Sequence, residues 1–409
     1  MKAWIFSLCM LGCQREAAKP AVQLPKKIVI GATLPYSGPE GQTARFYREG
    51  YDLAVEQANR AGGVEISGKR VPVAIEVLDD GGDPSRAAEE MRTLVETRKA
   101  SFLLGSAAAA VVEAESALAE ARRIPYVTAA GESKALFGRG LKYFFGLQAP
   151  VQLLAYTQMR WIDEQQKAHR LPSPLRVAVL VEDGPRGREF AAGVRDFAAK
   201  TASRRASYQV VFDETFAPSQ QDFSAPLQRL RNARADVFLA DGTLSEFLTL
   251  HRRYLWLGLC HKVLAYGAHG GETAALEEFG FPGLSYILSA VWWSPRLPRR
   301  GLYKQFFDAF IDTYHRDPDW YGALAYEAAR ALLAAISSSG DARPDSVRAQ
   351  LSTMKLDSIL PGGRLFFGPD QQAIYPFVVQ QNQPDGSSPV VFPNDVAESP
   401  GVAINPKCQ

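Results

Sequence analysis

Short runs of consecutive apolar residues alternate along this chain with longer stretches whose apolar positions recur every three or four residues. The runs at 28–34, 71–78, 101–104 and 125–128 read as buried strands, and the stretches at 44–60, 85–98 and 111–122 as the helices between them. Gly62 stands where a helix ends in the left-handed region, and Asp83-Pro84 is a helix-start signal. After residues 143–147 the alternation restarts. Helices at 151–167, 188–199, 223–234 and 244–257 separate strands at 175–181, 208–212, 236–240 and 262–266. A strand at 286–291 leads into Trp292-Trp293-Ser294-Pro295, three helical stretches fill 301–352, and a last strand covers 375–380. Buried strands alternating with helices imply parallel sheets covered on both faces.

At 409 residues the chain exceeds one ordinary core, and two similar α/β halves suggest two lobes with a cleft between them. A net charge of +2 gives no basic excess with which to hold a nucleic acid. Catalytic signatures are absent: there is no G-x-S-x-G elbow, no Walker loop and no H-E-x-x-H, and the histidines at 169, 251, 261, 269 and 315 have no metal-ligand spacing. Asp79-Asp80-Gly81-Gly82-Asp83 reads as a strand-to-helix turn, not a calcium loop. Glu113 and Glu115 fall on different faces of a helix, so they do not make an acid/base pair. No catalysis, metal or cofactor is expected.

Lys2, the apolar stretch 3–12 and Gly12-Cys13 resemble a bacterial lipoprotein signal, with Cys13 as the lipidated residue. Residues 14–26 read as a tether. Cys9 and Cys13 fall in the signal, which leaves Cys260 and Cys408. These two either pair in an oxidising compartment or leave Cys260 as a buried free thiol.

A series of motifs in fixed order carries a family resemblance. It begins with the strand 28–34, the loop Pro35-Tyr36-Ser37-Gly38-Pro39 and the helix end Asn59-x-x-Gly62-Gly63. It continues through Asp79-Asp80, Gly105 with its small-residue loop, Ile124-Pro125-Tyr126-Val127 and Glu182-Asp183-x-x-x-Arg186-Gly187. Gln221-Asp222-Phe223-Ser224, Asp236-Val237-Phe238, Tyr321-Gly322-x-x-x-Tyr326-Glu327-Ala328 and Gly362-Gly363-Arg364-Leu365-x-Phe367 complete it. Over roughly 27–381 the chain resembles the type I periplasmic solute-binding proteins of ABC importers, the branched-chain amino-acid and amide group.

That resemblance implies an α/β fold of two Rossmann-like lobes, each a parallel sheet flanked by helices, joined by three hinge crossings near 147–149, 290–293 and 373–375. Lobe 1 is then 27–147 plus 293–374, and lobe 2 is 148–292 plus 375–381, with 382–409 an irregular tail. It also implies a monomer in the periplasm or at the cell surface, anchored to a membrane by its lipid. Such a protein closes by a hinge on a small polar ligand and delivers it to a membrane permease. A receptor module of the same fold, controlling a signalling partner, is the alternative.

The family's ligand loops map onto this sequence residue by residue. The loop that offers hydroxyls to an α-carboxylate has Ala109 and Ala110 at the hydroxyl positions, which leaves Ser106 and the backbone N–H groups opening the next helix. The alternative is a small-residue packing loop. The following loop carries Thr128 and Ala130 among its ligand contacts and Glu132 at a threonine position. Glu132 could receive an ammonium or hydroxyls, cap the next turn, or pair across the cleft. Arg186 stands where a tyrosine is usual and suits a carboxylate or phosphate; otherwise it is a surface residue or an interlobe bridge to Glu132. Thr243 replaces an aromatic residue, Thr43 an apolar wall residue, and His269 falls near the acid that holds an α-ammonium. Tyr36, Trp293 and Tyr321 are aromatic wall candidates, with a core role open for the last two. The α-amino-acid signature is thus eroded, and a carboxylate-bearing solute with other polar groups is expected.

Overall fold

The computed structural model describes residues 24–37, 40–201 and 208–408. The expected signal with Cys13, most of the tether, and Gly38-Pro39 lie outside the described residues. Seven consecutive buried residues, Ile28–Leu34, form the second strand of a five-stranded parallel sheet. The order across it is Val73–Asp79, Ile28–Leu34, Phe102–Leu104, Tyr126–Thr128 and Phe144–Gly146. Side chains buried on both faces explain why this strand reads as an unbroken apolar run.

A second sheet has seven strands. Leu175–Glu182, Tyr208–Phe216, Val237–Asp241, Val263–Tyr266 and Ile287–Val291 are parallel. Val378–Gln381 and Val390–Phe392 close one edge in antiparallel register. The chain returns to the first sheet between these two groups. Helix Trp320–Ser339 packs on helix Gly41–Arg60, and Gln372 bridges Gly146 at the edge of the first sheet. Each lobe therefore contains chain from both halves of the sequence, and three passages join them. The helix–helix crossing is close because Gly50 faces Gly322; a Cβ at Gly50 would lie 2.3 Å from the Gly322 carbonyl oxygen.

Two local features differ from expectation, and a third chooses between two stated alternatives. The strand expected at 71–78 is preceded by a hairpin, Val64–Ile66 with Lys69–Val71, and then starts at Val73. Ser67 (φ 50°) and Gly68 (φ 75°) both take the left-handed conformation that a two-residue hairpin turn needs. The tail, expected to be irregular, contributes the strand Val390–Phe392, whose three buried residues cover the sheet edge. Cys260 is exposed and bonded to Cys408 across 148 residues, which replaces the buried free-thiol alternative and pins the end of the chain to the second lobe. Among the described residues no helix is long and apolar enough to cross a membrane.

Candidate functional site

The loops at the carboxyl ends of both sheets face one another, the place where open α/β folds bind ligands. Arg186 bridges these loops. It follows the strand Leu175–Glu182 at the start of helix Pro185–Thr201. Its Nη1 donates to Glu132 Oε1 at 2.6 Å, and Nε and Nη2 donate to the two oxygens of Asp241 at 3.0 and 3.2 Å. Burial works against the charge of Arg186, but the Asp241 and Glu132 carboxylates outweigh it and hold its pKa above the ordinary value. Asp241 ends the strand Val237–Asp241 with its side chain fully buried; burial raises its pKa, and Arg186 opposes that.

A second contact lies beside this one. Glu189, one turn along the same helix, accepts from the Lys134 backbone N–H at 2.8 Å and from the Ser133 hydroxyl at 3.2 Å. The two lobes are thus joined by Arg186 and Glu189 reaching from one helix to the loop after Tyr126–Thr128.

His269 is buried in the loop after Val263–Tyr266. The Gly242 carbonyl can only accept, so His269 Nε2, 3.1 Å away, carries a hydrogen. Nδ1 faces Glu272 Oε1 at 2.5 Å. Burial would raise the Glu272 carboxyl, but His269 and the Gly270 N–H outweigh it and hold the group below its usual range. The loop can pass this close only because residue 267 is glycine: φ is +36°, and a Cβ would sit 1.9 Å from Asp241 Oδ1.

The remaining candidates divide. Tyr321 packs on Trp320 (3.6 Å between ring centroids) and Phe46 (6.3 Å), with its phenol in electrostatic reach of Glu272, Arg186 and Glu132. It stands with the Glu132–Arg186 group. Ala109 and Ala110 are exposed in the first turn of helix Ala109–Arg122, whose N-cap, Ala108, supplies no side-chain bond. Thr43 is half-buried in the first turn of helix Gly41–Arg60. Tyr36 stands apart, half-exposed, with Arg48 hydrogen-bonded to it.

Others are committed elsewhere. Ser106 turns inward, where its hydroxyl donates to Asp80 Oδ2 at 2.8 Å, so it offers no hydroxyl to the cleft. Thr128 is buried and exchanges bonds with the Ala130 backbone, accepting from its N–H at 3.0 Å. Thr243 caps helix Leu244–Trp256 in a capping box with Glu246. Trp293 is a core residue: it is fully buried, stacks on Tyr303 and donates to the Ile359 carbonyl at 3.1 Å.

Asp241, Glu272 and Glu189 are site residues that the sequence reading missed. Each lies within a few residues of a motif position, but a lone carboxylate after a strand carries no signal of its own. Behind the first lobe's loops lies a further unanticipated cluster. Thr33 Oγ1 sits 2.7 Å from Asp80 Oδ2 and 2.5 Å from Glu115 Oε1, and Glu115 Oε2 accepts from the Tyr126 hydroxyl at 2.6 Å and the Ser106 N–H at 3.2 Å. Glu113 is exposed and Glu115 buried, as the helix phase requires.

The profile of the periplasmic binding protein family matches residues 27–387. A Leu/Ile/Val-binding protein homolog 7 from Brucella abortus is 22% identical over 365 residues, 88% of each chain. The isoleucine complex of the branched-chain amino acid transporter substrate binding protein LivJ from Streptococcus pneumoniae superposes with a TM-score of 0.76. It is 20% identical, and the match covers 90% of this chain and 100% of that one. A solute binding protein of an ABC transporter from R. palustris, in complex with benzoate, gives a TM-score of 0.73 at 18% identity, covering 91% of this chain and 98% of that one.

Proposed function

Since the chain belongs to the periplasmic binding protein family, we propose that it is the extracytoplasmic capture component of an ABC importer for a small carboxylate-bearing solute. It is a solute-binding protein, not an enzyme, and its family works outside the cytoplasm. The observation that carries the ligand class is Arg186 in the cleft. Three of its five N–H donors are used by Glu132 and Asp241, which leaves two for a ligand. A ligand carboxylate would compete with Glu132 for the guanidinium edge, while Asp241 keeps the group oriented. The backbone N–H groups opening helix Ala109–Arg122 lie on the other lobe and favour negative charge. Tyr321 and Trp320 supply an apolar wall for an amino-acid derivative, an amide or an aromatic acid.

In this reading the lobes, 27–147 plus 293–374 and 148–292 plus 375–381, close on the solute about the three passages and deliver it to a permease. The protein acts as a monomer tethered through Cys13. Cys13→Ala should release it from membranes; a wild-type protein that is soluble with Cys13 unmodified would remove the anchor from the account.

A thermal-shift screen of amino acids, amides, aromatic acids and sugars tests the ligand class. Carboxylates should raise Tm by mass action on the bound state, and sugars should not. A protein stabilised only by neutral or cationic compounds contradicts the reading.

A further inference from the structure

Tyr47 is the buried tyrosine whose hydroxyl has no hydrogen-bond partner among the described residues. It lies in helix Gly41–Arg60, 1% exposed, edge-on to Tyr51 (6.2 Å) and beside Tyr321 (6.4 Å). Every other buried tyrosine among the described residues places its hydroxyl on a partner. Tyr51 donates to the Gly105 carbonyl at 2.7 Å, for example, and Tyr375 to that of Leu147 at 2.8 Å. The unpaired side-chain atoms sealed inside the described structure are Gln158 Oε1, Trp161 Nε1, Gln166 Oε1 and Arg253 Nε. The Tyr47 hydroxyl is not among them, so it is not sealed from solvent.

The groups around it are those of the candidate site. Tyr47 is in electrostatic reach of Tyr51, Glu132, Tyr321 and Glu40, and burial, followed by these neighbours in that order, keeps its phenol protonated. The phenol is therefore a donor in need of an acceptor. Glu132 supplies the complementary vacancy: Oε1 holds Arg186, and no hydrogen bond reaches Oε2 among the described residues. Where a ligand displaces water from this place, a donor left without an acceptor costs about 1–3 kcal/mol, so the ligand that binds best supplies one.

We propose that Tyr47 is a specificity-determining residue of the cleft, its hydroxyl donating to a hydroxyl or carboxamide group of the ligand that in turn donates to Glu132. This rests on the cleft being the solute site, as argued above. Only a group that both accepts and donates satisfies the two side chains together. A hydroxyl and a primary carboxamide do so, whereas an ammonium would serve Glu132 and leave the phenol proton without an acceptor.

The test is calorimetric titration of wild type and Tyr47→Phe with three matched pairs: 4-hydroxybenzoate and benzoate, L-glutamine and L-methionine, lactate and propionate. Wild type should prefer the first member of at least one pair. Tyr47→Phe should weaken that member about two- to tenfold, the effect of one hydrogen bond, and leave its counterpart unchanged. Without ligand, Tyr47→Phe should melt at the wild-type temperature or above, because the hydroxyl it removes has no partner among the described residues. A fall in that temperature, equal weakening of both members, or no preference in wild type overturns the inference while leaving carboxylate capture intact. If no carboxylate of the wider screen binds, the reading beneath it falls, and this inference with it.

Discussion

Arg186 Nη1 and Glu132 Oε1 meet at 2.6 Å across the two lobes, while the rest of the same guanidinium is clamped by the buried Asp241. The two carboxylates are not equivalent. Glu132 is partly exposed, and Asp241 has no exposed side-chain surface. Glu132→Gln keeps an amide oxygen that can accept from Arg186 and should therefore cost less, about 1 kcal/mol. Arg186→Ala strands Asp241 and should cost about 3–5 kcal/mol. Urea denaturation of both variants checks this; equal destabilisation would mean that Asp241 does not depend on Arg186.

Glu115 gives the first lobe a pH dependence. The Thr33 hydroxyl has one hydrogen and touches both Asp80 and Glu115, so one of the two carboxyls must itself carry a proton to complete the pattern. Burial pushes Glu115 up to about 8, which makes it that group. The folded state then holds a proton that the unfolded state releases near pH 4.5. The contribution to stability is whole below about pH 4.5 and declines as pH rises towards 8, by at most roughly 1.4 kcal/mol per pH unit. Glu115→Gln keeps a donor for Thr33 and an acceptor for Tyr126 but cannot ionise. Its stability relative to wild type should rise between pH 5 and pH 8.5, read from paired thermal melts. A constant difference across that range would show that Glu115 is not titrating there.

Gly50→Ala tests the helix crossing that carries Tyr47 and Tyr321 on its two sides. Alanine ordinarily favours a helix interior by up to about 1 kcal/mol. Here the new Cβ would meet the Gly322 carbonyl oxygen at 2.3 Å and the Tyr326 nitrogen at 2.7 Å, both backbone atoms. Overpacking costs typically about 1–3 kcal/mol, so a net loss is expected. A variant as stable as wild type would place the helices further apart than described.

The disulfide between Cys260 and Cys408 closes a loop of 148 residues. Cys408→Ser should lower stability by about 2–4 kcal/mol, and a reducing agent should lower wild-type Tm without changing that of the variant. Equal sensitivity of both proteins to reductant would show that the bond does not form.

The strand Ile28–Leu34, the glycine-ended helix after it and the two-sheet plan were legible because burial on both faces writes itself as apolar runs and turn residues. Arg186 was legible as an exception to a family pattern, and its bridge to Glu132 as one of its alternatives. Asp241, Glu272 and Tyr47 were not. Asp241 and Tyr47 owe their places to neighbours from distant helices, Arg186 and Tyr321, and Glu272 to a turn with His269 and Gly270 that no apolar pattern marks; periodicity records only whether a side chain is buried. Ser106 and Trp293 show the converse: a hydroxyl and an indole at motif positions were claimed by Asp80 and by the core.

A cleft that holds a carboxylate through Arg186 should show it when wild type and Arg186→Ala, both shown to be folded, are titrated with the tightest carboxylate from the screen and with its methyl ester. Arg186→Ala should bind the acid more weakly by about 1.5–3 kcal/mol and the ester almost as wild type does. Unchanged affinity for the acid, or equal losses for acid and ester, would contradict the account and leave Arg186 as a bridge between the lobes.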